Sequence, residues 1–128
     1  MSIEQQTKKY KTFEDLWIWQ EARKLVILIY KDFGKETSGY NDFGFKDQIQ
    51  RAGISIMNNT AEGYERPSKA DYARFLDIAK GSCGEVRSMY YTAEDLEYVT
   101  KDIANNRRER AVKISKGIAS LTVRVRNN

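Results

Sequence analysis

A row of short polar side chains on one predicted helix is the part of this sequence best suited to chemistry. The row combines a guanidinium, a hydroxyl, a carboxamide and a carboxylate at steps of three or four residues: Arg51, Ser55, Asn58 or Asn59, and Glu62. Residues at that spacing are neighbours on a helix surface. Their hydrogen bonds have defined geometry, which predicts that they face other protein rather than water. Gly63 directly after the row is predicted to turn left-handed and end the helix.

The row could serve either a binding or catalytic site or a structural network. The sequence contains no histidine, and no candidate nucleophile stands beside a candidate base. We therefore favour a structural network that holds a helix bundle or a subunit contact together. Ser82 and Glu85 on the following helix are predicted to complete it, with an ion pair between Arg51 and Glu85.

Helices are the elements expected to position this row. One proline and eight glycines among 128 residues leave few points at which long elements would be interrupted. Hairpin signals such as Asn-Gly or Asp-Gly do not occur in the sequence. A chain of this length forms one domain with a single core. The predicted fold class is all-α.

Apolar residues at alternating steps of four and three indicate four helices joined by short connections. Their predicted bounds are residues 12–33, 42–62, 68–99 and 101–126. The third helix shows the clearest core row: Tyr72, Leu76, Ala79, Cys83, Val86, Tyr90 and Ala93. The arrangement predicts an up-down-up-down antiparallel four-helix bundle over residues 12–128, preceded by a disordered tail at residues 1–11. The first helix is apolar over most of its circumference, so it needs cover from the bundle or from another subunit.

Positive charge is concentrated in the last predicted helix. The net charge is +4, whereas the segment from Lys101 onward holds eight basic and two acidic residues, for +6. The residues of this helix that could contact a nucleic acid are Arg107, Arg108, Arg110, Lys113, Lys116, Arg124 and Arg126. Arg107 lies on the apolar seam of the helix, and the other six are predicted to be open to solvent. The alternative to an anionic partner is a solvated basic face.

The cellular location of the protein and the state of its thiol are predicted from its single cysteine and from the lack of a long apolar segment. Cys83 is the only cysteine and lies in an apolar row, which predicts a buried thiol without an intramolecular disulfide. The polar N-terminus lacks the apolar stretch of a signal peptide. The longest apolar run, residues 25–30, is too short to span a membrane. We expect a cytoplasmic protein, in which the sequon at residues 58–60 is not glycosylated.

Glu94 and Glu97 stand one helical turn apart, as acids do in some helical metal-dependent enzymes. Two acids at this spacing are also common on any solvent-facing helix. Di-iron bundles use Glu-x-x-His pairs, which this sequence cannot form without histidine. We therefore predict no metal site, no cofactor and no catalytic residues.

Three stretches resemble the four helix bundle proteins encoded in intervening sequences of bacterial 23S ribosomal RNA genes, also called S23 ribosomal protein-like. The first is LWIWQEA at residues 16–22, which is similar to a Trp-Gln-x-Ala motif. The second is QIQRAGISIMNNTAEG at residues 48–63, which contains Gln-x-x-Arg-Ala and Ala-Glu-Gly. The third lies within residues 74–85. Met57 and Thr60 depart from the Pro and Ile that are common in the family, and the last helix matches only in pattern.

The resemblance implies a bundle that assembles into a ring-shaped homo-oligomer, commonly a pentamer, without established catalytic activity. Accessory proteins of diversity-generating retroelements are similar in architecture and act with nucleic acid and a reverse transcriptase. We therefore expect a non-enzymatic, oligomeric accessory module that associates with RNA or DNA. The alternative is a protein–protein scaffold that serves a partner enzyme without binding nucleic acid itself.

Overall fold

The computed structural model describes residues 11–128, so the tail predicted at residues 1–11 lies almost entirely outside the described residues. The four α-helices are α1 at Trp17–Asp32, α2 at Phe43–Glu65, α3 at Lys69–Asp95 and α4 at Lys101–Asn127. Residues 11–128 contain no strand, and none of their helices is long and apolar enough to cross a membrane. The prediction of an all-α chain with four helices is confirmed.

The helices pack in the order of the chain, and α4 returns to α1. The core between them consists of apolar residues at steps of three and four on each helix. In α3, all seven members of the predicted core row are buried. In α4, the buried apolar residues include Ala111, Ile114, Ile118, Leu121 and Val125. Helical periodicity in the sequence therefore identified the core faces of both helices.

The first helix begins later than predicted. Thr12 precedes a short 3-10 helix at Phe13–Asp15, and its backbone N–H donates to Asp15 Oδ2 at 3.3 Å. Leu16 then adopts extended geometry, with φ −72° and ψ 125°. Its side chain is buried, and α1 begins at Trp17. The chain therefore enters the bundle through a buried leucine at a break between two helices.

Gly63 does not end α2, so the prediction that it adopts a left-handed conformation is wrong. The helix continues to Glu65, and no glycine in residues 11–128 has a positive φ. The chain turns at Arg66, whose φ of −76° and ψ of 139° are the extended geometry favoured before proline. A Cβ at Gly63 would lie 3.0 Å from Phe75 Cβ and 3.2 Å from the backbone oxygen of Tyr72. The glycine lets α3 approach α2 closely.

The turn between α3 and α4 is a Schellman motif. Tyr98 N–H donates to the oxygen of Ala93 at 2.8 Å, and Glu97 N–H donates to the oxygen of Glu94 at 2.9 Å. Glu97 has a φ of 60° and is the one residue other than glycine with a positive φ in residues 11–128. The turn therefore places a glutamate in a conformation that glycine adopts at lower cost.

The apolar surface of α1 is only partly covered by its own chain. Among the four pairs of neighbouring helices, α1 and α4 pack least closely. Between them lies an open groove of about 630 Å³, lined by Gln20, Arg23, Lys24, Ile27, Leu28 and Arg110. Trp17 and Ile27 are about half exposed, at 50% and 51%. The single chain leaves this side of the bundle open.

Candidate nucleic-acid interface

The structure divides the predicted polar network into an internal part and an exposed part. Asn59 Nδ2 donates to the backbone oxygen and to the hydroxyl of Ser55, both at 2.9 Å. Ser82 Oγ donates to Ser55 Oγ at 2.8 Å. Ser82 is buried, and the other two side chains are partly buried. These three residues join α2 to α3 within one chain.

Arg51, Glu62 and Glu85 are exposed on the surface of the chain. Arg51 and Glu85 do not form the predicted ion pair within residues 11–128. Instead, Glu85 Oε2 accepts a hydrogen bond from Gln48 Nε2 at 3.1 Å. Gln48 lies one turn before Arg51 on α2 and reaches α3 in its place. Within a single chain, the charged members of the row are therefore not part of the internal network.

Arg107 belongs to a buried network rather than to an open basic face. Its Nε donates to Asp32 Oδ2 at 2.7 Å, and its Nη2 donates to Asp32 Oδ1 at 2.8 Å. Tyr90 Oη donates to the same Asp32 Oδ2 at 2.7 Å. Burial, followed by the charge of Asp32, raises the pKa of Tyr90 above its ordinary value, so the hydroxyl remains a donor. The network connects α1, α3 and α4.

Arg108 was predicted to be open to solvent, but it is buried. Its Nη2 donates to Glu94 Oε1 at 2.8 Å and also to Asn105 Oδ1, and its Nη1 donates to the backbone oxygen of Tyr90 at 3.3 Å. Its guanidinium lies 4.1 Å from the ring centroid of Tyr91. The antiparallel packing of α4 on α3 places this charge opposite Glu94. Arg108 is therefore an internal partner of α3.

Glu94 is thus part of an ion pair, whereas Glu97 lies in the turn after α3. Residues 11–128 contain no group of three or more His, Cys, Asp or Glu side chains that could hold a metal ion. Glu94 and Glu97 therefore have different surroundings and do not act as a pair of carboxylates.

The other five basic residues of α4 that were predicted to contact nucleic acid differ in their partners. Arg126 Nη2 lies 2.7 Å from Asp77 Oδ2 in an exposed ion pair. Arg110 Nη1 lies 4.0 Å from Glu21 Oε1, and its Nε donates to Asn106 Oδ1. The other three are exposed and have no acidic partner within 4.0 Å among the described residues: Lys113, Lys116 and Arg124.

Lys116 faces two cations of α3 that were not predicted from the sequence. A groove of about 420 Å³ runs between α3 and α4, and its sides carry Lys80, Arg87 and Lys116. The other lining residues are mostly small: Cys83, Gly84, Ala111, Val112, Ser115 and Ala119. All three cations are exposed, and none has an acidic partner within 4.0 Å in residues 11–128. We call this feature the cationic groove.

Helical spacing alone could have placed Lys80 and Arg87 on one side of α3, because they lie two turns apart. The acidic residues of α3 cancel these two positive charges when net charge is summed along the sequence, so the segment does not stand out as basic. In the structure, Asp77 is engaged by Arg126 and Glu94 by Arg108. Neither of these two acids therefore neutralises the cations that line the groove.

The wall of the cationic groove does not supply a reactive thiol. Burial raises the pKa of the Cys83 thiol to about 12, and the nearby Lys80 lowers it by less. The thiol is therefore protonated near neutral pH. Because only the thiolate is nucleophilic, Cys83 is unreactive there. The groove offers fixed positive charge and close access to two helix surfaces, which suits binding of an anion rather than covalent chemistry.

The family model described as 23S rRNA-intervening sequence protein matches residues 14–120 of the chain. The chain belongs to the 23S rRNA-intervening sequence protein family. The match includes α1, α2, α3 and most of α4, and it extends beyond the three stretches of sequence that carry the resemblance. All three cations of the cationic groove lie within it, whereas Arg124 and Arg126 lie outside it.

A solved structure shares the fold of this chain. It is the crystal structure, at 1.70 Å resolution, of a protein with unknown function from the S23 ribosomal protein family of Bacteroides thetaiotaomicron VPI-5482. The two chains are 24% identical, with a TM-score of 0.75 over 82% of this chain and 97% of that chain. Comparison with curated proteins finds no match.

Proposed function

We propose that the protein is a non-enzymatic, oligomeric module of the cytoplasm that associates with nucleic acid, RNA in particular. The cationic groove is the observation that carries this proposal. Lys80, Arg87 and Lys116 approach it from two helices, and their charges are not neutralised by carboxylates among the described residues. A phosphate backbone bound there would neutralise all three.

The expected mode of binding is electrostatic. Each phosphate contact with Lys or Arg releases condensed counterions, so the affinity falls as the salt concentration rises. Small side chains between the cations, such as Gly84 and Ala119, let a strand come close to both helices. Contacts of this kind position a nucleic acid without reading its sequence.

The surroundings of the main titratable groups support a non-enzymatic role. Asp32 is paired with Arg107, and Glu94 is paired with Arg108. The Cys83 thiol is held in its neutral form by burial. These three groups are thus used in packing.

The exposed apolar side of α1 supports assembly with further copies of the chain, and we propose a ring-shaped homo-oligomer, a pentamer. Ile27 lines the open groove between α1 and α4, and Trp17, also on α1, is half exposed. Exposed apolar patches of this kind often mark protein contacts. A ring would repeat the cationic groove in every subunit, so weak contacts would add through multivalency.

The proposal is tested by charge removal inside and outside the groove. In the groove variant, Lys80→Gln, Arg87→Gln and Lys116→Gln are combined. A matched control combines Lys31→Gln, Lys35→Gln and Lys69→Gln, which lowers the net charge equally at exposed sites that also lack acidic partners among the described residues. Binding of a fluorescent RNA at low salt is followed by anisotropy.

We expect the groove variant to lose at least about tenfold in affinity and the control to change by less than about threefold. Equal losses in both variants would indicate a general charge effect and contradict a role for the groove. Unchanged binding by the groove variant would contradict it as well. Far-UV circular dichroism establishes that both variants keep their helices.

A protein–protein scaffold is the second candidate function, and the open apolar groove beside Ile27 favours it. In that case a partner protein, rather than another copy, would cover α1. Pull-down of the partner before and after nuclease treatment separates the two functions. Retention after nuclease, together with loss in an Ile27→Asp variant, would favour the scaffold.

A further inference from the structure

An exposed aromatic ring lies in line with the cationic groove. Lys80, Gly84, Arg87 and Tyr91 follow one another on α3 at steps of four, three and four, so they form one stripe. Tyr91 lies one turn before the end of α3 and is 53% exposed. The stripe therefore combines two cations, a small residue and an aromatic ring along the side of α3 that faces α4.

The buried guanidinium of Arg108 contacts the ring of Tyr91. The Arg108 guanidinium lies 4.1 Å from its ring centroid. Arg108 is itself only 8% exposed and is held by Glu94, Asn105 and the backbone of Tyr90. A guanidinium fixed in this way gives a cation–π contact and orients the ring. About half of the Tyr91 side chain nevertheless remains accessible to a ligand.

We infer that the cationic groove and Tyr91 together bind single-stranded nucleic acid, with phosphates at Lys80, Arg87 and Lys116 and a base stacked on Tyr91. This inference rests on the proposed function and specifies its ligand. Bases in a duplex hide their faces in the helical stack, whereas an unpaired base can stack on an aromatic side chain. A duplex could therefore use the cations but not the ring.

The dimensions of the stripe fit a short strand. At about 1.5 Å per residue, the helix rises about 16 Å between Lys80 and Tyr91. At about 3.4 Å per nucleotide of a stacked strand, this length corresponds to about five nucleotides. Lys116 approaches from α4 on the other side of the groove. A strand lying along the stripe would thus be contacted from both helices.

The test compares three labelled ligands of one non-self-complementary 15-nucleotide sequence: single-stranded RNA, single-stranded DNA, and the RNA annealed to its complement. Anisotropy is measured for the wild type and for Tyr91→Ala, Tyr91→Leu and Tyr91→Phe. Leucine keeps apolar cover over Arg108 but cannot stack on a base, whereas phenylalanine keeps the ring. The groove variant with Lys80, Arg87 and Lys116 changed to Gln is measured in parallel.

We expect at least about tenfold tighter binding of a single strand than of the duplex. Tyr91→Ala and Tyr91→Leu should each lose about tenfold for the single strands, with little change for the duplex, and Tyr91→Phe should retain wild-type affinity. Single-stranded RNA and DNA share phosphates and stacking bases, so tighter binding of either supports the inference. A preference between them identifies which strand is the ligand.

Several outcomes would overturn the inference. If the groove variant loses affinity while Tyr91→Leu binds single strands as the wild type does, stacking is absent but the proposed function stands. Equal losses for duplex and single strand in Tyr91→Leu would also overturn it. So would competition by polyglutamate as strong as that by the oligonucleotide, because an acidic peptide has no base to stack. If the wild type binds none of the ligands at low salt, the proposed function fails together with the inference.

Discussion

Arg107 and Asp32 are joined by two parallel hydrogen bonds at the end of the bundle where α1 stops and α4 begins. The Nε–Oδ2 distance in this pair is 2.7 Å, the same as the Nη2–Oδ2 distance between Arg126 and Asp77. The side chains of the first pair are 13% and 5% exposed, whereas those of the second are 56% and 53% exposed. Water and salt screen the second pair but reach the first poorly.

Removal of one partner from each pair should therefore have very different effects. We expect Arg107→Ala to lower the free energy of unfolding by about 3 kcal/mol or more, because Asp32 stays buried without its cation. Arg126→Ala should cost less than about 1 kcal/mol. Urea unfolding of both variants measures the difference. Similar losses would contradict the assignment of Arg107 to the core.

The conformation of Glu97 predicts a stabilising substitution. At a φ of 60°, a residue with a Cβ is strained by about 1 kcal/mol. Glu97→Gly should raise the free energy of unfolding by about that amount, since glycine is the usual residue at this point of a Schellman motif. Glu97→Ala removes the same carboxylate but keeps the Cβ. Thermal unfolding of the two variants separates backbone strain from loss of charge, and an equal gain in both would contradict strain as the cause.

Two glycines should respond oppositely to alanine. Gly81→Ala meets no atom within 4 Å and should raise stability by up to about 1 kcal/mol through helix propensity. Gly63→Ala brings a methyl group to 3.0 Å from Phe75 Cβ, with the backbone oxygen of Tyr72 at 3.2 Å. It should lower stability by about 1–3 kcal/mol because α2 and α3 would be forced apart. Urea midpoints of the two variants measure these changes, and stabilisation by Gly63→Ala would contradict the close approach.

Stability at alkaline pH should depend on Cys83. Burial raises the pKa of its thiol from 9.0 to about 12, so between these values the folded state keeps a proton that the unfolded state loses. The contribution of the neutral thiol to the free energy of unfolding is therefore fully present below about pH 9. Above about pH 9 this contribution falls by up to about 1.4 kcal/mol per pH unit. Cys83→Ala lacks this contribution. Its free energy of unfolding should decline less steeply than that of the wild type between pH 9 and 10.5, and parallel declines would contradict the shift.

Periodicity predicted the fold because each helix buries one face of its own. The row from Tyr72 to Ala93 could be read from spacing alone, and all of it is buried. Gly63 could not be interpreted in the same way. Glycine serves both left-handed turns and close helix contacts, and only the position of Phe75 distinguishes these roles.

The candidate site was less predictable, because ion pairs between helices decide which charged side chains remain unpaired. Arg108 lies beside Arg107 in the sequence, yet each is paired with an acid from a different helix, Glu94 or Asp32. The same pairing leaves Lys80 and Arg87 as unpaired cations on α3. Counting charge along α4 therefore selected two residues that are internal and missed two that line the cationic groove.

The salt dependence of single-strand RNA binding tests the central claim most directly. The logarithm of the binding constant is plotted against the logarithm of salt concentration for the wild type and for the groove variant of Lys80, Arg87 and Lys116. Each lost phosphate contact reduces the slope by about 0.7 for a single strand, so three contacts predict slopes that differ by about 2. The control variant of Lys31, Lys35 and Lys69 should keep the wild-type slope. Parallel lines for the wild type and the groove variant would contradict the account.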